Sequence, residues 1–178
     1  LVAVLDAEFC GSWAVSVAQV HDRLVVFDLS TGPSGLTQRV WVSDGTFVGT
    51  EWAAEIPTDG FSGFAPTVTL GRAFFTAGPS GAHVLWSSNG TLAGTGAHDD
   101  IVFGLGERYL QGLVGFRGRV VVQVADDEGT ALWEADGLPD GTRRIVAGEL
   151  VGHPIGGRLY FAGRDEPGIE PWVLESLP

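Results

Sequence analysis

The chain has 178 residues and a formal net charge of −12, and 44% of its residues are hydrophobic. This composition excludes a disordered chain, and the length is sufficient for one domain with a sizeable core. The acidic residues are scattered along the chain, a pattern that disfavours binding to nucleic acid or to anionic membranes. No apolar stretch approaches the ~20 residues that a membrane-spanning helix needs. We therefore expect neither nucleic-acid binding nor membrane insertion. The single cysteine, Cys10, excludes an internal disulfide.

The first predicted element is a short apolar strand at residues 1–6, which has no partner strand close to it in sequence. It is followed by residues 13–17, where a tryptophan and an alternating apolar run open the first copy of a repeat. The rest of the chain is built from further copies of this repeat.

Two markers define the repeat. Tryptophan recurs at steps of 45, 47 and 39 residues, at Trp41, Trp86, Trp133 and Trp172. Each tryptophan follows an arginine that opens an apolar run, at Arg23, Arg72, Arg119 and Arg158. Because both markers occur four times in the same order, the sequence indicates an internal repeat of about 45 residues.

The second repeat shows the predicted unit. Its first strand lies at 65–70, its second at 72–77 and its third at 84–87, and a fourth strand ends at Ile101. Turn-forming residues at 78–81 and 89–95 separate the later strands. Four short strands in about 45 residues are typical of one blade of a β-propeller. We predict an all-β fold, a small four-bladed β-propeller in which each blade is a four-stranded antiparallel sheet.

The turn after the tryptophan has a physical explanation. Aspartate, asparagine and glycine tolerate the backbone dihedrals of a tight reversal, and threonine hydroxyls can hydrogen-bond its backbone. A second Gly-Thr step, at Gly49, Gly94 and Gly141, is expected to begin the outer strand. The tryptophan itself is predicted to pack between adjacent blades, where its large apolar surface is buried.

The fourth repeat ends before its outer strand. Its strands are predicted near 151–155, at 158–162 and around Trp172. We expect residues 1–6 to supply the missing strand and close the ring, since closure removes exposed sheet edges. The chain is then a single domain, 1–178, with blades at about 12–56, 61–101, 107–148, and 149–178 plus 1–6. The alternative is an open fragment of a longer array.

These motifs resemble the bacterial repeat family named for its Glu-Leu-Trp-x-x-Asp-Gly-Thr (ELWxxDGT) motif, which is usually followed by x-x-Gly-Thr. The segment from Trp41 to Thr50 matches from the tryptophan onward, and the segment from Trp86 to Thr95 has asparagine for aspartate. The third repeat has Leu138 for the first threonine, and the fourth keeps only Glu170-Pro171-Trp172. The resemblance implies propeller-type repeats of a secreted or surface protein, and it implies no reaction.

The histidines and acidic clusters are weak candidates for metal sites. His21, His83, His98 and His153 occupy four different blade positions, so we expect surface or turn residues, with only His153 on an inner strand facing the channel. Clustered carboxylates at 99–100, 126–128 and 165–166 could take Ca²⁺, but no calcium-loop pattern is present. We expect solvated hairpin tips there and no cofactor, with a calcium-stabilised structural repeat of a larger surface adhesin as an alternative.

No nucleophile elbow, zinc helix or phosphate loop is present, so no catalytic residue is assigned. A propeller-type carbohydrate-active enzyme remains an alternative, because its two carboxylates need only lie ~5–10 Å apart in space.

Three segments depart most from the repeat, at 58–64, 104–109 and 164–166. Aromatic and arginine side chains dominate binding hot spots, so these segments are the predicted recognition surface. The candidate partner-binding residues are Phe61, Phe64, Arg108, Tyr109, Asp165 and Glu166. The alternative for the two phenylalanines is that they fill the end of the channel. The predicted function is non-enzymatic recognition or scaffolding of a protein or glycan partner, extracellular or at the cell surface, through loops on one propeller face.

Overall fold

The structure is a computed structural model that describes residues 15–32, 35–59, 66–79, 82–103, 109–126, 129–135, 142–165 and 168–175. Within these ranges the chain forms fifteen strands and no helix. Consequently, no helix of the described residues is long and apolar enough to cross a membrane. Residues 1–14, with Cys10, Trp13 and the predicted first strand, lie outside the described ranges.

The strands form four antiparallel sheets in chain order. Sheet 1 contains β1 (Val15–Val20), β2 (Arg23–Gly32), β3 (Gly35–Ser43) and β4 (Thr50–Pro57). Sheet 2 contains β5 (Thr67–Thr69), β6 (Arg72–Ala77), β7 (His83–Ser88) and β8 (Thr95–Phe103). Sheet 3 contains β9 (Tyr109–Phe116), β10 (Arg119–Asp126), β11 (Gly129–Ala135) and β12 (Thr142–Ala147). Sheet 4 contains β13 (Glu149–Leu150), β14 (Leu159–Asp165) and β15 (Gly168–Leu174).

The predicted all-β fold, with four antiparallel sheets each formed by consecutive strands, is confirmed. In the second repeat, β6 has the predicted bounds, and the Gly-Thr steps begin the outer strands at Thr50, Thr95 and Thr142. Sheet 4 has three strands among the described residues instead of the predicted four. The segment predicted to form its outer strand, residues 1–6, lies outside the described residues. None of the four described sheets closes on itself, so the described residues do not show a closed ring.

The predicted first strand of the fourth repeat, at 151–155, is wrong. The inner strand β13 ends at Leu150, and Ile155 forms only an isolated bridge with Arg158. Gly152 follows β13 with a φ of 77°, a left-handed conformation that turns the chain out of the strand, and Pro154 lacks an N–H for a sheet. His153 therefore lies exposed in a bend, and its predicted position on an inner strand is also wrong.

The four sheets pack one against the next in chain order through their apolar faces. We call the face of a sheet that meets the next sheet its forward face, and the opposite one its backward face. The core between sheets 1 and 2 joins Phe27 on the forward face of sheet 1 to Phe75 on the backward face of sheet 2, with ring centroids 4.6 Å apart. Trp86 pairs with Phe75 across strands β7 and β6 and packs on this core.

The same arrangement recurs at the next two junctions. Trp133 is paired with Val122 and packs on a core that includes Phe74 and Leu85 of sheet 2. Leu159 and Phe161 of sheet 4 share a core with Leu132 of sheet 3. Three of the four repeat tryptophans thus lie, together with their cross-strand partners, on the backward faces of sheets 2, 3 and 4. Trp41 occupies the same position on sheet 1, paired with Val26.

Replacing Trp86 with alanine is expected to lower the free energy of unfolding by about 3 kcal/mol, because it empties part of the core between sheets 1 and 2. Trp52 is the matched control, since its side chain is 51% exposed on β4. Trp52→Ala is expected to cost about 1 kcal/mol, the scale of its stacking on Trp41. Urea unfolding of both variants measures the difference, and equal losses would show that Trp86 does not hold two sheets together.

Candidate binding face

The loops that carry the repeat motif are held by their own side chains. In the first repeat, the backbone N–H and the hydroxyl of Thr46 both donate to Asp44 Oδ1, at 2.9 and 2.7 Å. The Thr46 hydroxyl oxygen accepts from the N–H of Gly49, and the Thr50 hydroxyl donates to the Thr46 carbonyl. The aspartate and both threonines of the motif are therefore used within the loop.

The second repeat has the same network with asparagine in place of aspartate. The N–H and the hydroxyl of Thr91 donate to Asn89 Oδ1 at 3.1 and 2.7 Å, and the Thr95 hydroxyl donates to the Thr91 carbonyl. A Cβ on Gly94 would lie 1.9 Å from Asn89 Oδ1, and one on Gly49 would lie 2.0 Å from Asp44 Oδ1. The second glycine of the motif must therefore be glycine, because the side chain of Asn89 or Asp44 occupies the space that a Cβ would need. Turn geometry explains the motif, as the sequence predicted.

The repeat arginine stabilises the same loop from the neighbouring strand. Arg72 Nε donates to Ser87 Oγ at 3.0 Å, and its Nη2 donates to the carbonyl of Gly94 at 2.7 Å. Burial lowers the pKa of the Arg72 guanidinium from its usual value, but arginine stays protonated in proteins. In the fourth repeat, Arg158 forms an ion pair of 3.0 Å with Glu175. The arginine that precedes each repeat tryptophan therefore has a structural role in the second and fourth repeats.

Two buried carboxylates that sequence reasoning did not identify also have arginine partners. Asp28 accepts a two-pronged pair of hydrogen bonds from Arg39, at 3.1 and 2.6 Å, on the backward face of sheet 1. Glu134 is fully buried and forms ion pairs with Arg119 and Arg143. Both carboxylates therefore have arginine partners within the fold, as a buried carboxylate requires.

His98 differs from the expectation of a surface or turn histidine. Its ring lies on β8 with 8% exposure, stacks on Phe74, and has Nε2 2.9 Å from Ser87 Oγ. The residue is buried because β8 continues past the motif loop and pairs with β7. His21 lies in the turn between β1 and β2, as predicted. Among the described residues, no three His, Cys, Asp or Glu side chains converge as a metal site would require.

The four sheets share a common orientation, which gives the array two distinct ends. At one end, the turn between the first two strands of each sheet touches the equivalent turn of the next. A Cβ at Gly71 would meet His21, one at Gly118 would meet Leu70, and the Arg117 guanidinium donates to the carbonyl of Gly157. We call this the turn end. The motif loops lie there as well, because Ser43 pairs with Leu24 beside the first turn.

The opposite end carries the hairpins between the second and third strands, and we call it the hairpin end. There the hydroxyl of Thr58, just after β4, donates to the carbonyl of Gly78 in the hairpin of sheet 2. The first strand of each sheet also begins at this end, since Tyr109 pairs with Ala125, next to the hairpin that joins β10 to β11.

All three segments predicted for recognition leave the described strands at the hairpin end. Residues 60–65 connect β4 to β5, residues 104–108 immediately precede Tyr109, and Asp165 pairs with Gly168 at the hairpin of sheet 4. Phe61, Phe64, Arg108 and Glu166 lie outside the described residues, as do the side chains of Tyr109 and Asp165. The backbone thus brings the segments to one end of the array, while contacts among the six side chains stay a prediction.

Sequence reasoning missed two exposed apolar features at other places. Phe47 and Val48 form the tip of the first motif loop, with exposures of 70% and 88%. Trp52 stacks on Trp41 with ring centroids 5.8 Å apart on the backward face of sheet 1. The sequence signal for Trp52 was that this tryptophan falls outside the regular spacing of the repeat tryptophans.

Comparison of the chain with protein-family models, with curated proteins and with solved structures found no match.

Asp44→Asn is expected to keep the stability of the native protein at neutral pH, because Asn89 forms the same loop, whereas Asp44→Ala is expected to lose stability. The hydrogen bonds from Thr46 hold the pKa of Asp44 below its ordinary value of 3.8. A lowered pKa stabilises the folded state above the ordinary value, and this contribution disappears as the pH falls through the folded pKa.

The native protein should therefore lose stability relative to Asp44→Asn between neutral pH and pH about 3. Urea unfolding of the three proteins at both pH values is the measurement. If Asp44→Asn were as unstable as Asp44→Ala at neutral pH, the loop would depend on charge and not on the shared hydrogen bonds.

Proposed function

We propose that the chain is a non-enzymatic recognition module that binds a protein or glycan partner through the loops of its hairpin end. The observation that carries the proposal is the segregation of the two ends. Residues that repeat are used for structure at or near the turn end, and all three segments that break the repeat emerge at the other end. Loops that a rigid scaffold brings together are the usual location of binding residues in such folds.

The chemistry of the described residues favours recognition over catalysis. Its two fully buried carboxylates, Asp28 and Glu134, are paired with arginine. Ser87 receives a hydrogen bond from Arg72 and is 1% exposed, so its contact with His98 does not present a nucleophile to a substrate.

We further propose that the chain is a divergent member of the Glu-Leu-Trp-x-x-Asp-Gly-Thr repeat family and acts outside the cell or at its surface. Support comes from the motif loops of the first two repeats, because each consensus side chain there has a partner within the loop or at its base. Because the motif loops of these two repeats are alike and use their polar groups internally, we propose that the non-repeating segments determine which partner binds.

The double substitution Arg108→Ala and Tyr109→Ala is expected to weaken partner binding more than tenfold, equivalent to about 1.4 kcal/mol, and to leave the melting temperature nearly unchanged. A glycan array and a pull-down, each run with and without EDTA, first supply the partner to be titrated. Arg144→Ala is the control, since Arg144 is exposed on the outer strand β12, away from the hairpin end.

Unaltered affinity in the double variant would move the site away from the hairpin end. Binding that disappears in EDTA would favour the calcium-dependent alternative, and hydrolysis of an arrayed glycan would favour the enzyme.

The closed form of the fold is also a proposal. We propose that the four sheets are the blades of one propeller ring and that residues 1–6 form the fourth strand of sheet 4, beside β15. Two observations support it. Among the residues that the structure describes, sheet 4 has three strands where each of the other sheets has four, and Trp172 is 43% exposed whereas the other three repeat tryptophans are less exposed.

Deleting residues 1–6 is expected to cost several kcal/mol of a total stability that is typically about 5–15 kcal/mol, because it would leave β15 as an open edge. Replacing the same six residues with a glycine-serine sequence should have the same effect, which separates loss of the strand from loss of length. Thermal melting of both proteins measures it, and a melting temperature equal to that of the full chain would contradict the assignment.

A further inference from the structure

The chain has a single asparagine, Asn89, and a glycine follows it in the second motif loop. The side-chain amide of an asparagine can be attacked by the backbone nitrogen of the next residue, and glycine at that position has no Cβ to obstruct the attack. Asparagine is accordingly one of the thermolabile residues of proteins. The first motif loop has Asp44 at the same position, so the two loops differ in the amide group that this reaction removes.

Two donors converge on the side-chain oxygen of Asn89. The N–H of Thr91 lies 3.1 Å from Asn89 Oδ1, and the Thr91 hydroxyl lies 2.7 Å from the same oxygen. When a nucleophile adds to Cγ, negative charge develops on this oxygen. Donors at about 2.7–3.1 Å from such an oxygen stabilise the transition state, as they do in the oxyanion holes of enzymes. The loop therefore supplies the contacts that favour attack on Cγ of Asn89.

The attacking nitrogen, that of Gly90, is held in place as well. Gly90 is buried, and a Cβ on it would lie 2.5 Å from the Cβ of Arg23, so the preceding sheet fixes the backbone there. The N–H of Gly90 donates to Ser88 Oγ at 3.1 Å. The Thr95 hydroxyl donates to the carbonyl of Thr91. The Ser88 hydroxyl therefore donates to Thr95 Oγ1, at 2.7 Å, and keeps its lone pairs for the N–H of Gly90.

The side-chain nitrogen of Asn89 is not needed by the loop. The hydrogen bonds from Thr91 use Oδ1, and Asp44 accepts the matching pair of bonds in the first loop without a nitrogen at that position. Loss of this nitrogen as a leaving group therefore preserves the loop. Residues 91–93 are exposed, so the water that completes the reaction can reach the site.

We propose that Asn89 is a site of self-modification, at which the folded loop promotes the deamidation of its own asparagine. The nitrogen of Gly90 bonds to Cγ of Asn89, and the Cγ–Nδ2 bond breaks, so that Nδ2 leaves as ammonia with the proton that Gly90 loses. Water then opens the cyclic imide, at Cγ to give aspartate or at the backbone carbonyl to give isoaspartate. The aspartate product keeps the hydrogen bonds seen at Asp44 and adds a negative charge. The proposal is independent of the partner that the hairpin end binds.

The hydrogen bonds from Thr91 also restrain the side chain, and restraint opposes the reaction. Breaking one hydrogen bond of ordinary net strength slows a rearrangement by a factor of about ten at most. Removing one donor from an oxyanion hole lowers an enzymatic rate by about 10²–10³. The comparison favours promotion over restraint. Because the two effects predict opposite results when a donor is removed, substitution of Thr91 separates them.

The test measures deamidation at Asn89 by peptide mapping and mass spectrometry, in the folded protein and in the same protein unfolded in urea at the same pH. The ratio of the folded rate to the unfolded rate removes the intrinsic reactivity of each sequence. We expect a ratio above one for the native protein and for Thr91→Ser, which keeps both donors. Thr91→Val lacks the hydroxyl donor and should lower the ratio by at least about tenfold. Urea unfolding establishes that each variant is folded in the assay.

A native ratio below one would overturn the proposal, as would an equal or higher ratio in Thr91→Val, since either result would mean that the loop only restrains the amide. A second measurement does not require Thr91→Val to fold. Asp44→Asn creates the same dipeptide in the first loop, where Thr46 and Ser43 make the matching contacts. Residue 44 of this variant should deamidate with a ratio above one, and a ratio below one there would also overturn the proposal.

Discussion

The packing of each tryptophan row onto the sheet before it is the interaction on which the rest of the structure depends. A sheet of three or four short strands cannot bury both of its faces alone, and in this chain the neighbouring repeat supplies the cover. Phe27 against Phe75, with Trp86 beside them, shows the unit of this contact. The consequence is that the stability of each described sheet depends on the sheet next to it.

The packing between successive sheets explains why the turn end and the hairpin end differ in role. The turn end is crowded by contacts between successive sheets and by motif loops whose polar groups are used internally. Substitution there disturbs packing or a hydrogen-bond network. Among the described residues, fewer side chains link neighbouring sheets at the hairpin end, which leaves the chain more freedom of length and composition there. A recognition surface at that end is compatible with an unchanged repeating scaffold.

Much of the fold was predictable because the same pattern of strands and turns recurs in several repeats of the sequence. The period, the bounds of β6 and the Gly-Thr start of the outer strands all follow from local patterns of turn residues and β-formers. The inner strand of sheet 4 was misplaced because the pattern at 151–155 is apolar, while Gly152 and Pro154 bend the chain. His98 was misassigned because its burial depends on Ser87 and Phe74, which sequence distance does not bring together. The two-ended arrangement was only partly predictable, since it depends on how whole sheets are oriented relative to one another.

The most direct test of the account is the environment of the Trp86 ring in solution. In a protein with labelled methyl groups, nuclear Overhauser effects from the Trp86 indole should reach residues of sheet 1 in the same core, such as Val40 and Ala54. The corresponding effects from Trp133 should reach Leu85 of sheet 2. Effects confined to the sheet that carries each tryptophan would contradict the stacking of repeats, and with it the order and orientation of the whole array.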